Sequence, residues 1–199
     1  MAYDRFAEVY RAQAPWDIGK PQMAFIEAVD QITGTVIDLG CGTGEHALFF
    51  AQRGHLVTGI DVVAEAIARA KTKARERGLD ATLLVQDALA LEAMPQQFDS
   101  GIDCGLFHVF SDADRPKYVN GVAGVLKPDG RLFLLCFSDQ EPAGAGPRRV
   151  SQAEIRAAFS SGWKVESIRE SRFEVAPQFA FLFSQGGPFA WFCVIRRSE

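Results

Sequence analysis

Hydrophobic positions along the chain change period several times, and the changes mark out its elements. Tyr3, Phe6, Ala7 and Tyr10 recur at helical spacing over residues 3–12 and form one apolar stripe. The next stretch, Ala14-Pro15-Trp16-Asp17-Ile18-Gly19-Lys20-Pro21, has too many breakers for regular structure. Pro21 is expected at the first position of a second helix, with Phe25, Ala28, Val29 and Ile32 on its buried face and Gly34 at its end. Short apolar runs then alternate with longer amphipathic ones. Strands are predicted at residues 36–39, 56–60, 82–85, 98–104 and 131–137, and helices at 45–52, 63–77 and 112–126. Gly78 stops one helix and Lys127-Pro128-Asp129-Gly130 breaks another.

The C-terminal third departs from this alternation. Residues 163–173 and 189–195 are strand-like with only loop between them, which predicts an antiparallel pair. Ser151-Gln152-Ala153-Glu154 is a capping box opening a short helix. Before it, residues 138–150 carry Pro142, Gly144, Gly146 and Pro147 and read as a lid leaving a strand end. The alternation predicts an α/β, Rossmann-like, doubly wound seven-stranded sheet, mostly parallel with an antiparallel C-terminal strand. All 199 residues fit one domain. Its parts are an N-terminal helical cap (1–33), a core (34–137), the lid and helix (138–161) and the C-terminal strands (162–199).

Composition narrows the partners. A formal net charge of −4 lacks the positive field that nucleic acids and anionic membranes require, so neither is expected. Cys41, Cys104, Cys136 and Cys193 have no metal-binding spacing, and no run is long and apolar enough to span a bilayer. A reduced, cytoplasmic protein without a metal, monomer or homodimer, is the expectation.

Candidate chemistry gathers where the first core strand ends. Val36-Ile37-Asp38-Leu39-Gly40-Cys41-Gly42-Thr43-Gly44 is an apolar run that ends in alternating glycines before a helix, so a ligand can lie against bare backbone. Open α/β sheets bind ligands at the carboxyl ends of their strands, and acids recur at those ends here: Asp38, Asp61, Asp87 and Asp103. Asp61 stands about 20 residues beyond the glycines, where a carboxylate can accept from both hydroxyls of a ribose. The dinucleotide pattern would need glycine at position 45, which is Glu45, and a carboxylate there repels a pyrophosphate. No Gly-Lys-Ser/Thr follows the loop either. A cationic adenosine ligand without phosphate suits this acidic crevice, and S-adenosylmethionine is such a ligand.

These residues resemble the class I S-adenosylmethionine-dependent methyltransferases. The matching pieces are the 36–44 segment, Gly59-Ile60-Asp61, Gln86-Asp87-Ala88, Phe98-Asp99 and Leu126-Lys127-Pro128-Asp129-Gly130-Arg131, in family order. The resemblance implies that Asp38 and Gly40 meet the methionine end of the cofactor, Asp61 the ribose, and Asp87 with Ala88 the adenine. Trp16, Cys41, Gly42, Gly44, Val62, Asp103 and Cys104 complete the expected cofactor site. Cys41 and Cys104 also read as small buried filler.

Pro15-Trp16-Asp17-Ile18-Gly19-Lys20-Pro21-Gln22 is similar to the N-terminal segment of the thiol/halide and thiopurine methyltransferase group, whose Trp covers the cofactor. That likeness implies S-adenosylmethionine as cofactor, S-adenosylhomocysteine as product, and a small acceptor methylated on O, S or N. The stretch after the fourth core strand, Asp103-Cys104-Gly105-Leu106, lacks the Pro-Pro-aromatic motif of enzymes that methylate amino groups of bases or amides. His108, a few residues on, is the candidate general base for a phenol or thiol, and equally a packing histidine. A non-catalytic cofactor-sensing module and a protein methyltransferase are the alternatives.

Overall fold

In the computed structural model, residues 2–11 and 14–198 are described, with side chains from Phe6 onward. Tyr3, the first member of the N-terminal stripe, therefore lies outside the described side chains. The strands are β1 (Val36–Leu39), β2 (Val57–Asp61), β3 (Thr82–Val85), β4 (Phe98–Cys104), β5 (Leu126–Phe137), β6 (Trp163–Arg172) and β7 (Phe189–Arg197). The helices are α1 (Ala2–Arg11), α2 (Met23–Glu27), α3 (Glu45–Ala51), α4 (Ala64–Arg77), α5 (Arg115–Val125) and α6 (Gln152–Ala158). The strands form one sheet in the order β3-β2-β1-β4-β5-β7-β6, with β7 antiparallel to both neighbours and the other pairs parallel. The order reverses between β1 and β4. That is where a doubly wound sheet opens a crevice.

Both faces of the central strands are covered, which is why they read as unbroken apolar runs. Along β5, Leu132, Leu134 and Cys136 enter the core on one face, with Phe107, Tyr118, Val122 and Trp163. Phe133, Leu135 and Phe137 enter the other, with Phe25, Leu48, Phe50, Ile67 and Phe192. The period-2 alternation assigns each side chain to its layer.

The elements differ from expectation at several ends, each for a local reason. The second helix starts at Met23, with Gln22 as its N-cap, rather than at Pro21, and it ends at Glu27, a 3₁₀ turn at Val29–Gln31 carrying the chain on toward Gly34. Gln22 Nε2 donates to the Glu174 carbonyl at 2.9 Å while Oε1 accepts the Glu174 N–H at 2.7 Å, clasping the N-terminal segment to the chain beyond β6. Ala176 N–H donates to the Pro15 carbonyl alongside. Helix α5 begins at Arg115 rather than residue 112, since Ser111 and Asp114 close a turn on each other first. The Lys127–Gly130 break is part of β5 itself: Leu126 already pairs with Phe98, and a bulge absorbs the irregular residues. Ser151 and Glu154 form the expected capping box.

The segment expected as a lid is laced to its surroundings. The Arg149 guanidinium donates to the carbonyls of Glu141, Pro142, Ala145 and Pro147. The buried Glu141 carboxylate accepts the N–H groups of Ser184 and Phe189. Arg148 pairs with Asp112 and Glu154. Neither arginine is a free anion clamp.

Phe133 is fully buried at the centre of the sheet. Phe133→Ala is expected to lower stability by about 3–5 kcal/mol, read from the denaturant midpoint with unchanged slope.

Candidate functional site

The site is built on the turn from β1 into α3. Gly42 and Gly44 both take positive φ there, 53° and 87°. A Cβ on Gly42 would stand 2.5 Å from the Tyr10 hydroxyl, and one on Gly44 would stand 2.9 Å from Ala70 Cβ. These positions have room only for hydrogen, which lets α1 and α4 close directly on the loop. Gly40 meets Leu106 in the same way, at 3.3 Å, so the loop after β4 forms the facing wall.

Asp61, at the end of β2, holds this arrangement. Its Oδ2 accepts the Gly42 N–H at 2.9 Å and its Oδ1 accepts the Val63 N–H at 2.8 Å. Each oxygen keeps a second lone pair, so the carboxylate is oriented and still able to accept. Val62 lies between these anchors, half-buried against α1. The Gln86 N–H donates to the Asp61 carbonyl, which brings the β3 end alongside. There Asp87 Oδ1 accepts the Leu89 N–H at 2.8 Å and Ala88 is buried.

Asp38 is fully buried. Oδ2 accepts the Ala47 N–H at 3.0 Å in the first turn of α3, and Oδ1 is sealed without a partner. Burial raises its pKa to about 7; the Ala47 bond opposes the shift and the charges of Asp61 and Asp103 add to it. Asp61 is also raised, again chiefly by burial. The acids are compensated by backbone N–H groups and a tyrosine hydroxyl rather than by a cation. An orphaned buried carboxylate oxygen beside bare glycine backbone fits a ligand carrying an ammonium group and a sulfonium.

Several expected site residues have other work. Asp103 is fully buried and saturated, accepting the N–H groups of Leu106 and Phe107 and the Tyr118 hydroxyl at 2.6 Å. It fastens the turn after β4 to α5, and burial raises its pKa to about 6. Cys41 packs its Sγ against Gly59, the filler reading. Cys104 is half-buried at the mouth of the crevice, and burial pushes its thiol far up. Trp16 is 43% exposed and donates its indole N–H to Tyr10 Oη at 3.1 Å, with its ring edge-on to Tyr10 and Phe6. The aromatic lying against the glycine loop is Tyr10.

The sequence reading missed Tyr10 as a site residue because it sits in the α1 stripe; a hydroxyl in an otherwise apolar stripe was the available signal. Lys73 and Arg77 carry no local sign of a partner in the sequence. Both bind Glu45, at 2.7 and 2.9 Å, and draw its carboxylate toward α4. Lys73 also donates to Thr43 Oγ1, which in turn donates to Asp17, so one network joins α4, the glycine loop and the N-terminal segment.

His108, expected as a base, is buried, and its Nδ1 accepts the Phe137 N–H at 3.0 Å. A backbone amide only donates, so the neutral ring carries its proton on Nε2. Burial, then the charges of Arg115 and Arg149, lower its pKa to about 3. With its lone pair committed, the ring is a donor and not the expected base.

A doubly wound sheet with a glycine loop and buried acids at its switch point is the arrangement in which open α/β sheets bind nucleotide-like ligands. Residues 36–130 match the family described as methyltransferase domain. The chain is 34% identical over 182 residues to 2-heptyl-1-hydroxyquinolin-4(1H)-one methyltransferase of Mycobacteroides abscessus, covering 85% of this chain and 80% of that one. It is 28% identical over 170 residues to probable thiol methyltransferase 2 of Arabidopsis thaliana, covering 82% and 75%. A solved structure from echinomycin biosynthesis, where a disulfide bond becomes a thioacetal group, superposes with a TM-score of 0.87 at 33% identity, covering 98% of this chain and 92% of that one. The chain belongs to the S-adenosylmethionine-dependent methyltransferases and is an enzyme of that class. No helix among the described residues is long and apolar enough to cross a membrane.

When bound, S-adenosylmethionine supplies an electrophilic methyl on a sulfonium. The residues that would hold it are Asp38, Asp61 and the bare backbone of the glycine loop.

Below about pH 7 the native protein holds a proton on Asp38 that the unfolded chain has lost above about pH 4, so this group makes stability fall as pH rises between those values. A cationic amino group reverses the preference. S-adenosylhomocysteine binding near pH 6.5 is therefore expected to release a proton, seen by calorimetry in buffers of different ionisation heat, and to tighten toward pH 8. Asp38→Asn abolishes both effects. Asp61→Ala weakens binding by about 1–3 kcal/mol, measured by the same titration at pH 8.

Proposed function

We propose that the enzyme methylates an ionisable O, S or N atom of a small aromatic, heterocyclic or thiol acceptor. The observation that carries this reading is the cluster of rings packed beside the turn after β4. Consecutive residues after β4 face the two sites: Leu106 rests on Gly40, while Gly105 rests on His108 and Phe173. Beyond Gly105, Phe137 lies 5.2 Å from His108, 5.1 Å from Phe173 and 5.8 Å from Phe183, centroid to centroid. Phe183 is half-buried at the outer edge of this group, and Phe181, on the short helical turn at Pro177–Leu182, is 81% exposed.

Flat apolar molecules suit such rings, which reward area and edge-to-face geometry. The nearby arginines, Arg148 and Arg149, are occupied by acids and carbonyls, so nothing calls for a strongly acidic acceptor. The relatives' named substrates, a hydroxyquinolone and thiols, fall in the proposed class.

Incubation with S-adenosylmethionine and a panel of hydroxyquinolones, thiophenols, phenols and thiocyanate is expected to give methylated products by mass spectrometry, with the planar aromatic members preferred. Methylation of proteins in a lysate, with no product from the panel, would overturn the reading.

A further inference from the structure

The unused valence of His108 identifies how the acceptor is held. Nδ1 is tied to the Phe137 N–H, and Nε2 carries the proton. Nε2 makes no hydrogen bond among the described residues. A Cβ built on Gly105 would lie 3.5 Å from it, an ordinary contact, so the glycine leaves a methyl-sized space beside this N–H at the carboxyl end of β4. His108 thus stands between the loop that faces the cofactor and the rings of Phe137 and Phe173.

We propose that His108 is the acceptor anchor: its neutral Nε2–H donates a hydrogen bond to an oxyanion or thiolate of an aromatic acceptor that enters already ionised. The inference rests on the small-acceptor reading above and makes it specific. The acceptor's proton is lost to solvent beforehand. In the transfer, a lone pair on the heteroatom becomes its bond to carbon and the carbon–sulfur pair returns to sulfur, so an anion and a sulfonium leave as two neutral molecules.

A neutral donor has an advantage in this reaction. Negative charge on the acceptor fades toward the transition state, so a cation in this position would stabilise the reactant more than the transition state and slow the step. The charged groups that act on the ring, Arg115 of α5 and Arg149 of the laced loop, are both positive and are drawn off by other partners, Arg115 to Glu154 and the face of Phe107, Arg149 to carbonyls. Burial first, and these charges after it, keep the imidazole uncharged.

Two substitutions separate the two nitrogens. His108→Asn places an acceptor oxygen where Nδ1 stands and removes the Nε2–H; His108→Gln can restore a donor at the Nε2 position. With S-adenosylhomocysteine present, 2-heptyl-1-hydroxyquinolin-4(1H)-one is the probe. His108→Asn is expected to weaken its binding at least tenfold, with thermal midpoint and S-adenosylhomocysteine affinity unchanged, and His108→Gln to recover part of the loss. Nitrogen-15 spectra of the free protein are expected to show His108 neutral and protonated on Nε2 from pH 5 to 8, with that signal moving when the probe binds. Wild-type binding retained in His108→Asn, a ring protonated on Nδ1, or a ring that titrates between pH 5 and 8 would each reject the anchor alone. Wild-type protein that neither binds nor methylates the probe or any panel member would reject the small-acceptor reading, and the anchor with it.

Discussion

One carboxylate holds the site together. Asp61 accepts an N–H from the glycine loop with one oxygen and an N–H from the start of α4 with the other. Because the two donors belong to segments separated in sequence, this group converts three adjacent pieces of chain into a rigid cradle. The glycines make the cradle possible by letting Tyr10 and Ala70 approach to distances no side chain would allow. Tyr10 packs on that surface with Trp16 bonded to its hydroxyl, and the network of Asp17, Thr43 and Lys73 ties the N-terminal segment to the loop.

The electrostatics of the crevice follow from burial rather than from the number of acids. Asp38, Asp61 and Asp103 lie near one another on strand ends that the sheet buries, and burial pushes all three upward. They are not equivalent. Asp103 spends its acceptor capacity on the fold, Asp61 uses one lone pair on each oxygen, and Asp38 keeps one oxygen unsatisfied. That graded satisfaction is visible only in three dimensions.

Much of this was legible in the sequence because the chain states it locally. The strand ending in Gly40, Gly42 and Gly44, the Gly78 cap and the Ser151–Glu154 capping box each depend on neighbours within a few residues, and the sheet followed from their alternation. The errors arose where a partner is distant. Nothing near Asp103 in sequence announces Tyr118, nothing near Glu45 announces Lys73 and Arg77, and His108 gives no hint that the backbone of β5 will occupy its Nδ1. Arg149 gives no local hint either: the carbonyls it gathers converge only when the loop folds around it.

The clasp between Gln22 and Glu174 distributes constraint unevenly along the chain. On one side a primary amide supplies both a donor and an acceptor from its side chain; on the other, the peptide group supplies them whatever residue it carries. Within this pairing, position 22 is chemically specified while position 174 is anonymous. The chain beyond β6 can therefore change side chains without losing this clasp, whereas position 22 cannot lose its amide.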